Sequence, residues 1–353
     1  MGERIAIVGA GAVGGHVGGH MARVGADVTF IDPWPAHVDT MNRDGLVLTG
    51  MTEPENVTVR VRAIHLTDLQ FEARRGGFDI VFLATKSYDT RWAAQMIAGY
   101  LAPGGFVVSL QNGINEPAIA DVVGWGRTLG VIVSKISVIL HAPGQIRRLV
   151  QLGGQAHLVF RVGECHGRTT ARAERVAELL SAADSSAVTS NLWGERWTKL
   201  AVNCMRNPIA AATGRGGNDN DRDDPVRRLS IRIGGEAAKV GRAHGFQLEK
   251  LYGVAADDMI AAHAGDRGAM ARAEDIILAQ TATRSDEQRP SMGQDIEKGR
   301  RTEIDDLNGF VALRAGEVGL QAPLNAGIAD IVRRVERGEV AQNPELLAPL
   351  VSW

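Results

Sequence analysis

Over the first half of the chain, short apolar runs alternate with amphipathic stretches. Ile5–Val8 is apolar without a break and is followed at once by glycines and a helix-compatible segment from Gly11 to Val24. Asp27–Ile31 predicts a second strand and Ala36–Arg43 a short helix. Val57, Val59, Val61 and Ala63 alternate with polar residues, the period-2 signature of a half-exposed strand. Asp79–Thr85 and Phe106–Leu110 are continuous apolar runs bounded by turn residues, as strands covered on both faces are, and a helix is predicted over Tyr88–Leu101 between them. Arg127–Val133 and Gln145–Phe160 add strand-like pieces, and Thr170–Ala183 reads as a helix. Strand–helix alternation of this kind predicts a parallel, doubly wound sheet.

After about residue 188 helical periodicity takes over, in Trp193–Ala212, Val226–His244, Leu248–Ala264, Ala269–Ala282, Glu303–Val318 and Asn325–Arg337. The Gly- and Asp-rich stretch Gly214–Pro225 reads as a loop. The expected organisation is an α/β domain over residues 1–187 and an all-helical domain over 188–353, with a cleft between them.

Charge narrows the function classes. The 39 Lys+Arg nearly cancel the 41 Asp+Glu, leaving a net charge of −2, and aromatics make up only 5%. A nucleic-acid partner is therefore not expected, since it calls for a basic face or rows of stacking aromatics. Cys165 and Cys204 are the two cysteines and stand in no metal-ligand spacing, so neither a disulfide scaffold nor a metal site is expected. The apolar runs are much shorter than the roughly 18 residues of a membrane span, and no signal-peptide pattern is seen. The expectation is a cytoplasmic protein with no membrane partner.

Residues 9–14 read Gly-Ala-Gly-Ala-Val-Gly, a GxGxxG between a strand and a helix, and the next strand ends in an acid, Asp32. In a dinucleotide site Gly9 serves the tight turn, Gly11 the close approach of pyrophosphate, and Gly14 close helix–strand packing. The phosphates would sit on free N–H groups at the helix N-terminus. Asp32 suits a free ribose 2′-OH and repels a 2′-phosphate, and Pro33-Trp34-Pro35 supplies no cation, so NAD is favoured over NADP. The plainer alternatives are a ligand-free glycine turn and an Asp that only caps a turn.

In the second half, Lys199, Asn203 and Asn207 fall within about 80° of arc on an ideal helix, placing an amine and two carboxamides on one face. Pro208 biases Asn207 away from ideal helix geometry. An exposed helix carries Lys and Asn too, so spacing alone does not decide.

The chain resembles the ketopantoate reductase (2-dehydropantoate 2-reductase) family from end to end. The resemblance is carried by GAGAVGG at 9–15, ATKSYDT at 84–90, LQNGINE at 110–116, WTKLAVN at 197–203, NPIAA at 207–211 and PSMGQDIEKGRRTEIDDLNG at 290–309. It implies an N-terminal Rossmann-type domain followed by a helical domain of the 6-phosphogluconate-dehydrogenase-like type. Lys199 matches the catalytic lysine that binds the 2-oxo oxygen and acts as general acid. Glu303 matches the glutamate that interacts with that lysine and the substrate. Asn203, Asn207 and Ser291 match substrate-pocket residues, Lys86 a lysine on the cofactor side, and Asn112 an asparagine between cofactor and substrate.

Such parts suit hydride addition to a ketone, which builds negative charge on oxygen that a nearby ammonium stabilises and then protonates. Burial would lower the lysine pKa and a carboxylate such as Glu303 would raise it.

Two departures bear on function. The family commonly uses NADPH, with a basic residue near the end of the second strand where Asp32 stands here, which weakens the pantothenate-biosynthesis reading. Arg206 interrupts a segment that is apolar in the family. It lies about 20° from Lys199 on an ideal helix and offers either a clamp for a substrate carboxylate or a side chain tilted to solvent or paired with a neighbouring acid. The chain also has extra helical length around Ala261–Gln288.

The expected activity is interconversion of a 2-oxo acid, ketopantoate or similar, and its hydroxy acid, with a homodimer entertained as the assembly. Its competitors are an NAD-dependent dehydrogenase oxidising another hydroxy acid or alcohol, and a non-catalytic NAD(H)-binding sensor. His16 and His20 are read as packing or surface residues.

Overall fold

The computed structural model describes residues 2–286 and 289–352. The chain divides into two compact units between Leu192 and Trp193. A boundary at 187/188 would cut the last strand of the first unit, which is paired in its sheet, so the division lies after it.

The first unit is built on β1 (Arg4–Val8), α1 (Ala12–Arg23), β2 (Asp27–Asp32) and α2 (Pro35–Asp44), followed by the short strands β3 (Leu46–Thr49), β4 (Val57–Val59) and β5 (Arg62–His65). Then come β6 (Phe78–Leu83), α3 (Thr90–Ala98), β7 (Leu101–Ser109), α4 (Glu116–Val123) and β8 (Thr128–Val133). The hairpin β9 (Val138–Ala142) and β10 (Gln145–Arg148), then β11 (Phe160–Glu164), α5 (Ala171–Ser181) and β12 (Ser186–Thr189) complete it.

The main sheet has eight strands in the order β12-β11-β8-β7-β6-β1-β2-β5. From β5 to β8 neighbours run parallel; β11 is antiparallel to β8 and β12 parallel to β11. The chain steps outward from β1 to β2 and β5, then returns to β6 on the other side. The β1–β6 junction is thus the topological switch point, where open α/β sheets bind ligands. Alternate residues explain the unbroken apolar runs. Ile5 and Ile7 face a core shared with α1 and α5, while Ala6 and Val8 face α3 and α4.

A four-stranded second sheet, β4-β3-β10-β9, lies against α1. The Val57–Ala63 alternation thus belongs to two strands of different sheets, and the 145–160 stretch likewise splits into β10 and β11. Helix α1 lies between the two sheets and needs glycine on both sides. A Cβ on Gly18 would come within 2.7 Å of Ile7 and Phe30, and one on Gly15 within 2.3 Å of Ile146. The loss of helix propensity, about 1 kcal/mol per glycine, is offset by this close packing.

The second unit begins one residue into the 22-residue α6 (Leu192–Thr213). It continues with α7 (Gly217–Arg222), α8 (Asp224–Ala243), α9 (Ala256–His263), α10 (Arg267–Thr283), α11 (Ser291–Glu297), a π-helical turn over Asp305–Gly309, α12 (Phe310–Glu317), α13 (Pro323–Glu336) and α14 (Ala348–Val351). Helices α6 and α8 meet around the fully buried Trp197, whose indole donates to the Ala237 carbonyl at 2.8 Å. Gly241 makes room for that ring, since a Cβ there would lie 2.1 Å from it.

Two expectations change here. Helix α7 occupies part of the stretch read as a loop. The helix expected over Leu248–Ala264 begins only at Ala256, after a tight turn in which Leu251 and Val254 pair across Tyr252 (φ 49°) and Gly253 (φ 84°). No helix among the described residues is long and apolar enough to cross a membrane.

Candidate active site

In the first unit the glycine loop joins β1 to α1. Gly9 adopts φ 91°, a conformation only glycine enters freely, and its N–H donates to the Ile31 carbonyl at 2.9 Å. Gly14 is required by packing, because a Cβ there would lie 2.1 Å from the Gly9 carbonyl oxygen. Gly11 differs. A Cβ there meets nothing within 4 Å, and no side chain caps the α1 N-terminus it begins. Open space over uncapped N–H groups at the positive end of a helix suits an anion such as a pyrophosphate.

Asp32 ends β2 and is buried; one carboxylate oxygen accepts from the Ala10 N–H at 2.8 Å and the other from the Trp34 N–H at 2.9 Å. It therefore ties the glycine loop to the β2 terminus, as the turn-capping alternative expected. A carboxylate accepts about four hydrogen bonds, so both oxygens keep capacity for a sugar hydroxyl.

Lys86 and Asn112 stand in the loops that leave β6 and β7, and these loops are cross-linked. Ser87 Oγ donates to the Asn112 carbonyl at 2.9 Å, and Gln111 Nε2 donates to the Thr85 carbonyl at 3.1 Å and to Thr90 Oγ1 at 2.8 Å. A Cβ on Gly9 would be 3.0 Å from the Thr85 nitrogen, so the glycine loop and the lysine loop are neighbours. The residues of this unit fit a dinucleotide by space, free donors and a buried acid.

In the second unit, Lys199, Asn203 and Asn207 lie on α6, and the two carboxamides are buried. The helix runs through Pro208 without ending. Lys199 retains partial solvent contact and makes no ion pair among the described residues; burial of the amine pushes its pKa down to about 8. Of the two opposed influences, burial prevails over any carboxylate.

Ser291 opens α11, which approaches α6 where a Cβ on Gly293 would be 3.4 Å from the Ala210 Cβ. Glu303, buried, precedes the π-helical turn, where the Gly309 N–H reaches the Ile304 carbonyl at 3.0 Å. That turn is fastened to α6 by Asn308, whose Nδ2 donates to the Cys204 carbonyl at 3.1 Å and to Asn325 Oδ1 at 2.9 Å. Asn325 in turn donates to Glu236 on α8 at 2.8 Å.

Sequence reasoning singled out none of Asn308, Asn325 and Glu236, although Asn308 lies within the TEIDDLNG motif. It also missed Asp306, whose carboxyl is pushed up to about 6 by burial and by the neighbouring Glu303.

Arg206 takes the internal option. Its guanidinium pairs with both oxygens of Asp221, one at 2.8 Å, and lies 4.8 Å over the Tyr252 ring. Arg284 also reaches Asp221, at 2.6 Å. No group of three or more His, Cys, Asp or Glu among the described residues could hold a metal ion.

A family model described as ketopantoate reductase PanE/ApbA matches residues 5–160, and its C-terminal counterpart matches residues 191–336. The 2-dehydropantoate 2-reductase of Pyrococcus horikoshii is 30% identical over 342 residues, covering 94% of this chain and 97% of that protein. The solved structure of a PanE/ApbA family ketopantoate reductase from Ralstonia eutropha is similar at TM-score 0.74 and 28% identity, covering 95% of this chain and 99% of that one. The fold is also that of a D-mandelate dehydrogenase solved with NADH and anilino(oxo)acetate, at TM-score 0.77 and 22% identity, covering 95% and 98% of the two chains.

Proposed function

The chain belongs to the ketopantoate reductase family of oxidoreductases, and we propose that it reduces a 2-oxo acid to its hydroxy acid with NADH, ketopantoate being the first substrate to test. The observation that carries this reading is Lys199, an amine tuned to about 8 on the helix face that also bears buried Asn203 and Asn207. The nicotinamide would supply the hydride. Gly9, Gly11 and Gly14 would seat its pyrophosphate, Asp32 its adenosine ribose, and Lys86 and Asn112 would line its approach to the substrate.

Lys199 would donate a hydrogen bond to the 2-oxo oxygen and then pass it a proton, a role its charged form fills at neutral pH. Asn203, Asn207 and Ser291 would orient the substrate. Glu303, held next to α6 through Asn308, would position the substrate relative to Lys199. Asp32 supports NADH over NADPH, because a buried carboxylate repels a 2′-phosphate.

An amine at about 8 also supports a second reading, oxidation of a different hydroxy acid with NAD, since a useful fraction is neutral and able to accept a proton at pH 7.

The test is ketopantoate reduction followed by nicotinamide absorbance with NADH and NADPH in parallel. Turnover favouring NADH is expected. Preference for NADPH would refute the Asp32 argument. Absence of turnover despite NADH binding would move the assignment to the second reading, tested with NAD and a hydroxy-acid panel. A wild type that binds NADH yet turns over neither ketopantoate nor any acid of the panel, with Lys199→Ala binding NADH equally, would make the protein a sensor.

A further inference from the structure

We propose that Trp34 is the stacking platform for the adenine of the bound dinucleotide, an inference that rests on the dinucleotide reading of the first unit. Trp34 is one of the few large apolar side chains left open, at 38% exposure. Its backbone is fixed on both sides. The Trp34 N–H donates to Asp32 at 2.9 Å, and the carbonyl of Pro33 takes a 3.0 Å hydrogen bond from His65 Nε2. Pro33 and Pro35 further restrict the chain at this point.

The indole is backed as well as exposed. It stacks on the His37 ring with centroids 5.6 Å apart and planes inclined by 25°. That ring is fully buried and held at both nitrogens. His37 Nδ1 accepts from the Gly144 N–H at 2.8 Å, which places the ring proton on Nε2, and Nε2 donates to the Ala10 carbonyl at 2.9 Å.

Ala10 is thus a common anchor. Its N–H holds Asp32 and its carbonyl holds the ring beneath Trp34, so the phosphate loop, the ribose acid and the indole form one hydrogen-bonded assembly. A ribose on Asp32 brings its base to this rim at the carboxyl end of β2, where a pre-positioned aromatic face costs little further ordering on binding. Stacking accepts any base, so adenine enters through the dinucleotide reading and the free 2′-hydroxyl through Asp32, and the ligand class is an adenine nucleotide unphosphorylated at that position.

The experiment titrates ADP-ribose and NADH into the full-length wild type, Trp34→Phe and Trp34→Leu by calorimetry. ADP-ribose lacks the nicotinamide, so its binding is read without turnover. Leucine still covers His37, whereas only phenylalanine keeps an aromatic face.

Affinity about tenfold weaker in Trp34→Leu, with Trp34→Phe within about threefold of wild type, is expected from the stacking of a base on an aromatic ring. Equal affinity of Trp34→Leu and wild type would overturn the platform while leaving the dinucleotide site intact. Equal weakening in both variants would assign Trp34 a shape-filling role and overturn it too. Failure of the wild type to bind either ligand would overturn the dinucleotide reading and the platform together.

Discussion

Replacing Lys199 by Met keeps the length of the side chain and deletes its charge. The amine sits near 8 instead of the usual 10.5, and burial is the cause. At about 1.36 kcal/mol per pH unit, holding the proton in the folded state costs up to about 3 kcal/mol, an upper bound because Lys199 keeps some solvent contact. The cost applies in full below pH 8, where folded and unfolded chains both carry the proton. Between pH 8 and 10.5 the unfolded chain binds more protons, so wild-type stability rises with pH there and the penalty fades.

Lys199→Met should therefore unfold in urea with a stability gain of up to about 3 kcal/mol at pH 7, shrinking to about 1 kcal/mol at pH 10. A destabilised variant, or a gain equal at both pH values, would refute the burial argument.

The same value governs rate. With a pKa of about 8, roughly nine-tenths of the free enzyme is charged at pH 7 and about one-tenth at pH 9, so kcat/KM for reduction should fall about tenfold between them. For oxidation it should rise about tenfold. An amine at 10.5 would leave reduction nearly flat over this range and make oxidation rise about a hundredfold, so a flat wild-type profile for reduction would remove Lys199 as the titrating acid.

Gly11 and Gly14 should respond in opposite ways to alanine. Gly14→Ala forces a Cβ to 2.1 Å from the Gly9 carbonyl and should cost about 3 kcal/mol or more in a melt. Gly11→Ala enters open space at a permitted φ of −61°, so it should melt like wild type yet bind NADH more than about tenfold more weakly if the pyrophosphate sits there. His16, buried against His20 and lowered to about 3, is neutral when folded; its stabilisation is complete above pH 6.5 and is lost as pH falls toward 3. At pH 5 that loss is about 2 kcal/mol, so His16→Leu should show a smaller fall in urea midpoint between pH 7 and 5 than wild type. Asn308→Ala leaves the Cys204 carbonyl and Asn325 Oδ1 without their donor and should cost about 2 kcal/mol. By loosening Glu303 from α6 it should lower kcat while leaving the Kd for NADH unchanged.

How much of this was legible in the sequence depends on how far away the deciding partner lies. The strands flanking the switch point were readable because both faces of each are buried, which writes an unbroken apolar run into adjacent residues. The second sheet was not, because β3 pairs with β10 across about half of the first unit, Val47 opposite Gln145, through short half-exposed strands. The apolar spacing of Leu248–Ala264 mimicked a helix because a tight turn buries Leu251 and Val254. Helix α7 was invisible for the converse reason: it buries Asn218, Asn220 and Asp221 rather than an apolar stripe, and it owes its place to Arg206 and Arg284. The candidate site divides the same way. Residue types and helical spacing put Lys199, Asn203 and Asn207 on one face, but the charge state of Lys199 is a contest between hydration and counter-charge that only the surroundings decide. The partner of Arg206 was equally unreadable: Asp221 meets it at 2.8 Å, whereas among the described residues no carboxylate pairs with Lys199. One helix thus carries a neutralised guanidinium and an unneutralised amine. That asymmetry leaves the amine free to titrate near neutral pH, which a proton-transferring lysine requires and a structural one does not.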